Sequence, residues 1–193
     1  ETTEPVAEAV GIVHAQQVQR LDRADASIGG ATDPTMELAQ KNKKDGARIV
    51  SLGDEVLPEA DYLFDFSFPR SEGKPNPHLW TDPTYAKRYA EVVKETMVEV
   101  DAPHAAAYET NFAAFAAQVD AFDAAMRTAF DTLPREQRKL LTYHDAYAYF
   151  GRDYGWTIIG AVQPSSFDDP QPKEIARLVD QIRARHVPVI FGS

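Results

Sequence analysis

The sequence has no cysteine among its 193 residues, which excludes a disulfide framework, a thiolate metal site and a thiol nucleophile. Basic residues are also few. There are 20 of them against 30 acidic residues, so the formal net charge is −10. This charge argues against a nucleic-acid partner or an anionic membrane surface. No apolar run approaches the roughly 18 residues of a membrane span. Hydrophobic residues make up 44% of the chain, so we expect one large domain or two small lobes with a sizeable core.

The two ends of the chain carry a prediction of their own. The sequence begins at Glu1 without an initiator methionine or a signal peptide, and it stops directly after a run that is typical of a buried strand. We therefore expect a mature or trimmed product that is truncated at both ends.

Helical stretches alternate with short β-branched runs, the pattern of an α/β fold with a parallel sheet. The second half predicts the order β-α-β-α-β. Its predicted strands are residues 140–143, 156–162 and 187–191, and its predicted helices are residues 145–154 and 172–185. In the first half we predict helices at residues 15–24 and 34–44 and a strand at 47–52, followed over 55–77 by a long loop or a strand with a loop attached.

Two helix starts follow one another in the middle of the chain. Asp82 precedes Pro83, and Asp101 lies two residues before Pro103, so each proline falls near a first helical turn. The second helix has large apolar residues from 108 to 133 at spacings of mostly four and three. At ~1.5 Å per residue it would be roughly 40 Å long, so it is either a spine between two lobes or an ordinary core helix. We predict an amino-terminal lobe over 1–103, a linking helix over 104–133 and a carboxyl-terminal lobe over 134–193.

Two histidines lie where a loop or a strand end meets a helix. His144 follows the strand at 140–143, at the strand end where parallel sheets bind ligands, and His78 lies in a loop that prolines stiffen. Neutral imidazole is a common zinc ligand, and Asp145 or a backbone carbonyl could orient the ring of His144. A histidine in this position also often serves as a helix cap, and a spacing of 66 residues is no local ligand motif.

Other candidate sites are weaker. His104 and His186 fall near helix ends and are interpreted as structural. The tyrosines around residues 143–154 are typical of a core with hydrated hydroxyl groups. Gly29 and Gly30 lack the lysine and hydroxyl residue of a phosphate-binding loop, so nucleotide binding is not indicated.

Two segments carry a family resemblance. Residues 76–83 (NPHLWTDP) and 143–150 (YHDAYAYF), the latter followed by Tyr154 and Gly155, resemble the two internal signatures of the metal-binding solute-binding proteins of ABC transporters. The resemblance extends to residues 47–53 (ARIVSLG) and 172–175 (PKEI), and it covers most of the chain from residue 17 onward.

The resemblance implies a fold and a site. Proteins of this family have two α/β lobes with parallel-rich sheets, joined by one long rigid helix, with the metal in the cleft between the lobes. Matched by position, His78 would be the ligand of the amino-terminal lobe and His144 the first ligand of the carboxyl-terminal lobe. His14 is either a displaced third ligand or a surface residue. A fourth, acidic ligand position lies beyond Ser193, and Asp168 or Asp169 either substitutes for it or caps the following helix.

The resemblance also implies a function. We expect an extracytoplasmic receptor, periplasmic or lipid-anchored, that captures a divalent metal ion and delivers it to a membrane ABC permease. Zinc is favoured over manganese because manganese or iron members tend to have glutamate at the position of His144, and nitrogen ligands suit zinc better. We expect a monomer that is not an enzyme and binds no nucleic acid. The alternatives are a manganese or iron receptor, a metal-dependent hydrolase, and an adhesin that has kept the fold and lost the site.

Overall fold

A computed structural model describes residues 39–42, 48–163, 171–187 and 189–192. The chain divides into two compact units. The first unit contains the described residues up to Tyr62 together with Thr84–Val119, and the second contains Leu63–Pro83 and the described residues from Asp120 onward. His78 and His144 therefore both belong to the second unit.

The first unit is helical in its described part. Helix α1 spans Leu52–Val56, and residues 39–42 are also helical. Helix α2 spans Pro83–Val100, begins at the predicted proline and buries Tyr85, Tyr89 and Thr96. Proline is well suited to the first helical position because its missing N–H would have no partner there. The start predicted at Asp82 and Pro83 is confirmed.

The long central helix, α3, spans Ala105–Asp131 and follows a 3₁₀ turn at Ala102–His104. Its 27 residues correspond to about 40 Å of helix. None of them is buried, and its half-buried positions follow a single stripe that includes Phe112, Val119, Met126 and Phe130. A helix without one fully buried side chain is not an ordinary core helix. The boundary between the two units falls within this helix, after Val119.

The second unit is built on a three-stranded sheet. Strands β1 (Lys139–His144), β2 (Thr157–Gln163) and β3 (Val189–Phe191) lie in the order β2-β1-β3, and both pairings of β1 are parallel. The central strand places Leu140, Leu141 and Thr142 in the interior, at 5%, 0% and 0% exposure. This burial on both faces is typical of a parallel sheet covered by helices.

Two crossover helices connect these strands. Helix α4 spans Ala148–Tyr154 and ends at Gly155, whose φ of 70° favours glycine. Helix α5 spans Pro172–Arg185, and its first turn is closed by a capping box between Gln171 and Glu174. The predicted β-α-β-α-β order of this half is confirmed. None of the helices in the described ranges combines the length and the apolar character that crossing a bilayer demands.

One element of the first half differs from the sequence prediction. The strand predicted at 47–52 is wrong in its described part: Arg48 makes only an isolated bridge, and α1 begins at Leu52. The acidic residues Asp54 and Glu55 in the first turn of α1 suit the positive end of a helix. Residues 57–77 form the long loop and contain two 3₁₀ turns and no strand, whereas Glu55 and Val56 belong to α1. The helix predicted at 15–24 and most of that at 34–44 lie outside the described residues.

Candidate metal centre

His78 lies directly before the 3₁₀ turn Leu79–Thr81 that leads into α2. Leu79 is completely buried and anchors this turn in the second unit. The single hydroxyl hydrogen of Thr81 is shared between the carbonyl oxygen of His78, at 2.9 Å, and that of Ala146, at 2.7 Å. The loop with the first histidine is therefore bonded directly to the segment that follows the second.

His144 is the last residue of β1, so it lies at the carboxyl end of the central strand. Its carbonyl oxygen accepts from the backbone N–H of Ala146 at 2.9 Å, which forms a tight turn before α4. Parallel sheets present ligand-binding residues at this edge. The position predicted for His144 at a strand end is confirmed.

The imidazole rings of His78 and His144 are in edge-on contact. The Nε2 atoms of His78 and His144 are 3.1 Å apart, and the ring centroids are separated by 4.8 Å at an interplanar angle of 84°. At Zn–N distances of ~2.0–2.1 Å, a tetrahedral angle places two ligand nitrogens about 3.3 Å apart. The observed separation is close to this value, so both nitrogens can reach one zinc ion with little movement.

Asn76 contacts the ring of His78 at Nδ1, the nitrogen that does not point toward His144. Its side chain is completely buried. The Oδ1 atom accepts from the backbone N–H of His78 at 3.0 Å and lies 2.8 Å from the ring Nδ1. The Nδ2 atom donates to Asp65 Oδ2 at 2.7 Å and to the carbonyl oxygen of Asp145 at 3.2 Å. The residue expected to orient His144, Asp145, thus has its backbone carbonyl bonded to Asn76.

Asp145, whose backbone carbonyl bonds Asn76, also has a buried carboxyl group. Asp145 is 1% exposed, and burial, together with the nearby carboxylate of Asp65, raises the pKa of its carboxyl group to about 7. Asp65 itself accepts hydrogen bonds from the backbone N–H groups of Ser67 and Phe68, at 3.1 and 3.0 Å.

Aromatic rings shield His78 from water. The ring of Phe68 lies edge-on at a centroid distance of 5.8 Å, and Trp80 lies at 5.2 Å. Burial, together with the charge of a protonated His144, lowers the pKa of His78 to about 4. His78 is therefore a neutral imidazole at neutral pH, the form that binds a metal ion.

The other candidate ligands are not placed by the structure. His14, Asp168 and Asp169 lie outside the described residues. In the described part of the chain, no group of three or more His, Cys, Asp or Glu side chains is arranged to hold a metal ion. The structure thus brings together two of the three predicted histidines and leaves the third and fourth ligands open.

The remaining histidines have local partners. The Nδ1 atom of His104 lies 2.8 Å from Asp101 Oδ2, near the start of α3. His186 ends α5 with a φ of 52°, in the left-handed region, and its N–H is bonded to Arg183 and Ile182. Both contacts agree with the structural interpretation of these residues.

Sequence reasoning missed the surroundings of His78. Asn76, Thr81 and Phe68 were not singled out, although the first two belong to the segment 76–83 that carries the resemblance. The polar residue two positions before a candidate ligand was the available signal for Asn76. Nothing local indicated Phe68 or Asp65.

Known proteins share this fold. The structure of the periplasmic zinc-binding protein TroA from Treponema pallidum superposes with a TM-score of 0.66 at 25% identity, over 82% of this chain and 55% of TroA. A crystal structure of ZnuA gives the same TM-score at 23% identity, over 93% of this chain and 66% of that one. The fold is that of two-lobed α/β periplasmic binding proteins whose lobes are joined by a long helix.

The family assignment follows from the sequence as a whole. The chain belongs to the ZnuA family, zinc-uptake complex component A, periplasmic, whose model matches residues 13–193. Among its relatives, the iron-binding protein YfeA of Yersinia pestis is 34% identical over 63% of this chain. The manganese-binding lipoprotein MntA of Halalkalibacterium halodurans is 31% identical over 71% of it. The matches cover 39% and 44% of these relatives, so the chain spans less than half the length of either.

Proposed function

We propose that this chain belongs to an extracytoplasmic solute-binding receptor that captures a divalent transition metal, zinc above all, and passes it to an ABC permease. The observation that carries the proposal is the approach of His78 Nε2 to His144 Nε2 at 3.1 Å. Two imidazole nitrogens at this separation match adjacent corners of a tetrahedral zinc site. The extracytoplasmic location and the permease partner are supported by family membership.

The mechanism is capture without chemical turnover. The neutral ring of His78 and the ring of His144 replace water around the ion, and the aromatic side chains of Phe68 and Trp80 keep competing water away. His14 is proposed as a further ligand on the basis of the family resemblance. Burial of the nitrogen donors in a rigid, hydrogen-bonded frame lowers the reorganisation needed for binding.

Manganese or iron is the second candidate for the cargo. The relatives YfeA and MntA carry iron and manganese in their names. Against this, two imidazole ligands favour zinc, because affinity for nitrogen sites rises toward the end of the first-row series. The metal is therefore the first property to measure.

The test is a competitive metal titration of the native chain after chelator treatment, with zinc and manganese in separate and mixed arms. We expect one zinc ion per chain, with manganese unable to displace it. His78→Ala and His144→Ala should each weaken zinc binding by at least about tenfold, or 1.4 kcal/mol. His104→Ala, the same substitution in the first unit, serves as the matched control and should bind as the native chain does.

The outcomes separate the alternatives. Preferential manganese binding that still needs both histidines would show that the protein is a manganese or iron receptor. Binding that ignores both histidines would refute the site. Metal-dependent turnover of ester or phosphoester substrates would favour a hydrolase, and a folded chain without specific metal binding would favour an adhesin-like role.

A further inference from the structure

Asn76 uses all the hydrogen-bonding capacity of its side chain inside the second unit. Its amide oxygen accepts two bonds and its amide nitrogen donates two, and the side chain has no exposed surface. A buried side-chain amide with four partners is held in one orientation, since any rotation would break several bonds at once.

The chemistry of the partners decides which end of the amide faces His78. A backbone N–H can only donate, so the atom of Asn76 that contacts the N–H of His78 must be the oxygen. A backbone carbonyl can only accept, so the atom that contacts Asp145 must be the nitrogen. The same amide oxygen lies 2.8 Å from the ring Nδ1 of His78. That ring nitrogen must therefore carry a hydrogen.

We propose that Asn76 is a positioning residue that holds His78 in the tautomer with hydrogen on Nδ1 and with the Nε2 lone pair directed at His144 and the metal. This inference rests on the proposed metal capture. It assigns to the side-chain amide of Asn76 the task of keeping His78 Nε2 free to bind the ion. The tautomer of a histidine ligand is generally set by the bond that its other nitrogen makes. Asn76 makes that bond here, and Asp65 in turn anchors Asn76 at 2.7 Å.

A purely structural role of Asn76 would be to tie the His78 loop to the segment after His144. Thr81 performs that role independently, because its hydroxyl bonds the carbonyl oxygens of His78 and Ala146 without contacting a ring nitrogen. Thr81→Val removes this connection with little change in volume. It is therefore the matched control for a change at Asn76 that affects both the connection and the tautomer.

The experiment is ¹⁵N NMR of histidine-labelled protein, combined with zinc affinity by chelator competition. In the metal-free native chain we expect His78 to carry its hydrogen on Nδ1. In Asn76→Ala we expect a shift toward the other tautomer and a loss of zinc affinity of roughly 10- to 100-fold, the usual effect of removing a partner of a metal-ligating histidine. Thr81→Val should keep the native tautomer.

Two results would overturn the proposal. One is a native His78 with its hydrogen on Nε2, a measurement that needs no variant and decides the matter even if Asn76→Ala does not fold. The other is a folded Asn76→Ala chain with unchanged tautomer and zinc affinity. A native chain that binds no zinc, or binds it without His78, would instead refute the proposed function, so the two failures are distinguishable.

Discussion

The imidazoles of His78 and His144 meet at an Nε2 to Nε2 distance of 3.1 Å although 66 residues separate them in the chain. One comes from a loop before α2 and the other from the end of β1. Their approach depends on hydrogen bonds between the two segments, made by Asn76 to the carbonyl of Asp145 and by Thr81 to that of Ala146.

Zinc should stabilise the native chain against heat, because a ligand that binds only the folded state raises its free energy of unfolding. At free zinc about 100 times the dissociation constant, the gain is about 2.7 kcal/mol, which corresponds to a rise in Tm of roughly 5–11 °C for a chain of this size. Excess chelator should reverse it in a calorimetric scan. His144→Ala should lose most of the rise, and an equal rise in that variant would show that zinc binds elsewhere.

Asp65→Ala should destabilise the chain by about 1–3 kcal/mol, because it leaves the buried amide nitrogen of Asn76 without its carboxylate acceptor. Urea unfolding measures this change in the free energy of unfolding. Glu72→Ala, an exposed carboxylate in the same loop, is the control and should stay within about 0.5 kcal/mol of the native value. Equal effects of the two substitutions would contradict the importance of the Asp65 bond.

Leu141→Ala should cost about 2–5 kcal/mol in the free energy of unfolding, because Leu141 has no exposed surface and lies in the central strand of the sheet. Leu133→Ala removes the same atoms from a side chain that is 36% exposed and should cost much less. Denaturant melts of the two variants provide the comparison. A cost below 1 kcal/mol at Leu141 would mean that the sheet interior is less well packed than described.

Stability should depend on pH through Asp101. The hydroxyl of Tyr108 donates to Asp101 Oδ2 at 2.5 Å, and this bond, followed by that from His104, lowers the pKa of the Asp101 carboxyl. A lowered pKa in the folded state means that the contribution to stability is present above the unfolded pKa, near 4, and is lost as the pH falls through the folded value. Tyr108→Phe should raise the pKa of Asp101 toward its ordinary value, as measured by carboxyl NMR titration. No change in that pKa would exclude the tyrosine as the main cause.

Several features followed from local sequence patterns alone. Pro83 begins α2 as predicted, and Pro172–Arg185 forms the predicted helix because proline, the capping pair Gln171 and Glu174, and the apolar spacing act within a few residues of one another. The parallel character of the sheet followed from the alternation of strands and helices. The strand predicted at 47–52 was wrong in its described part because a short apolar run does not by itself determine a strand, which also needs a partner along its length.

The sequence alone predicted the α/β class, a long helix in the middle of the chain and two histidines placed where a loop or a strand end meets a helix, since periodicity and capping are local effects. Only the tertiary structure decided that His78 and His144 face each other, and that Asn76 bonds Asp65 and the carbonyl of Asp145, 11 and 69 residues away. Contacts over such separations depend on how β1 and the His78 loop pack together, and no local pattern encodes that packing.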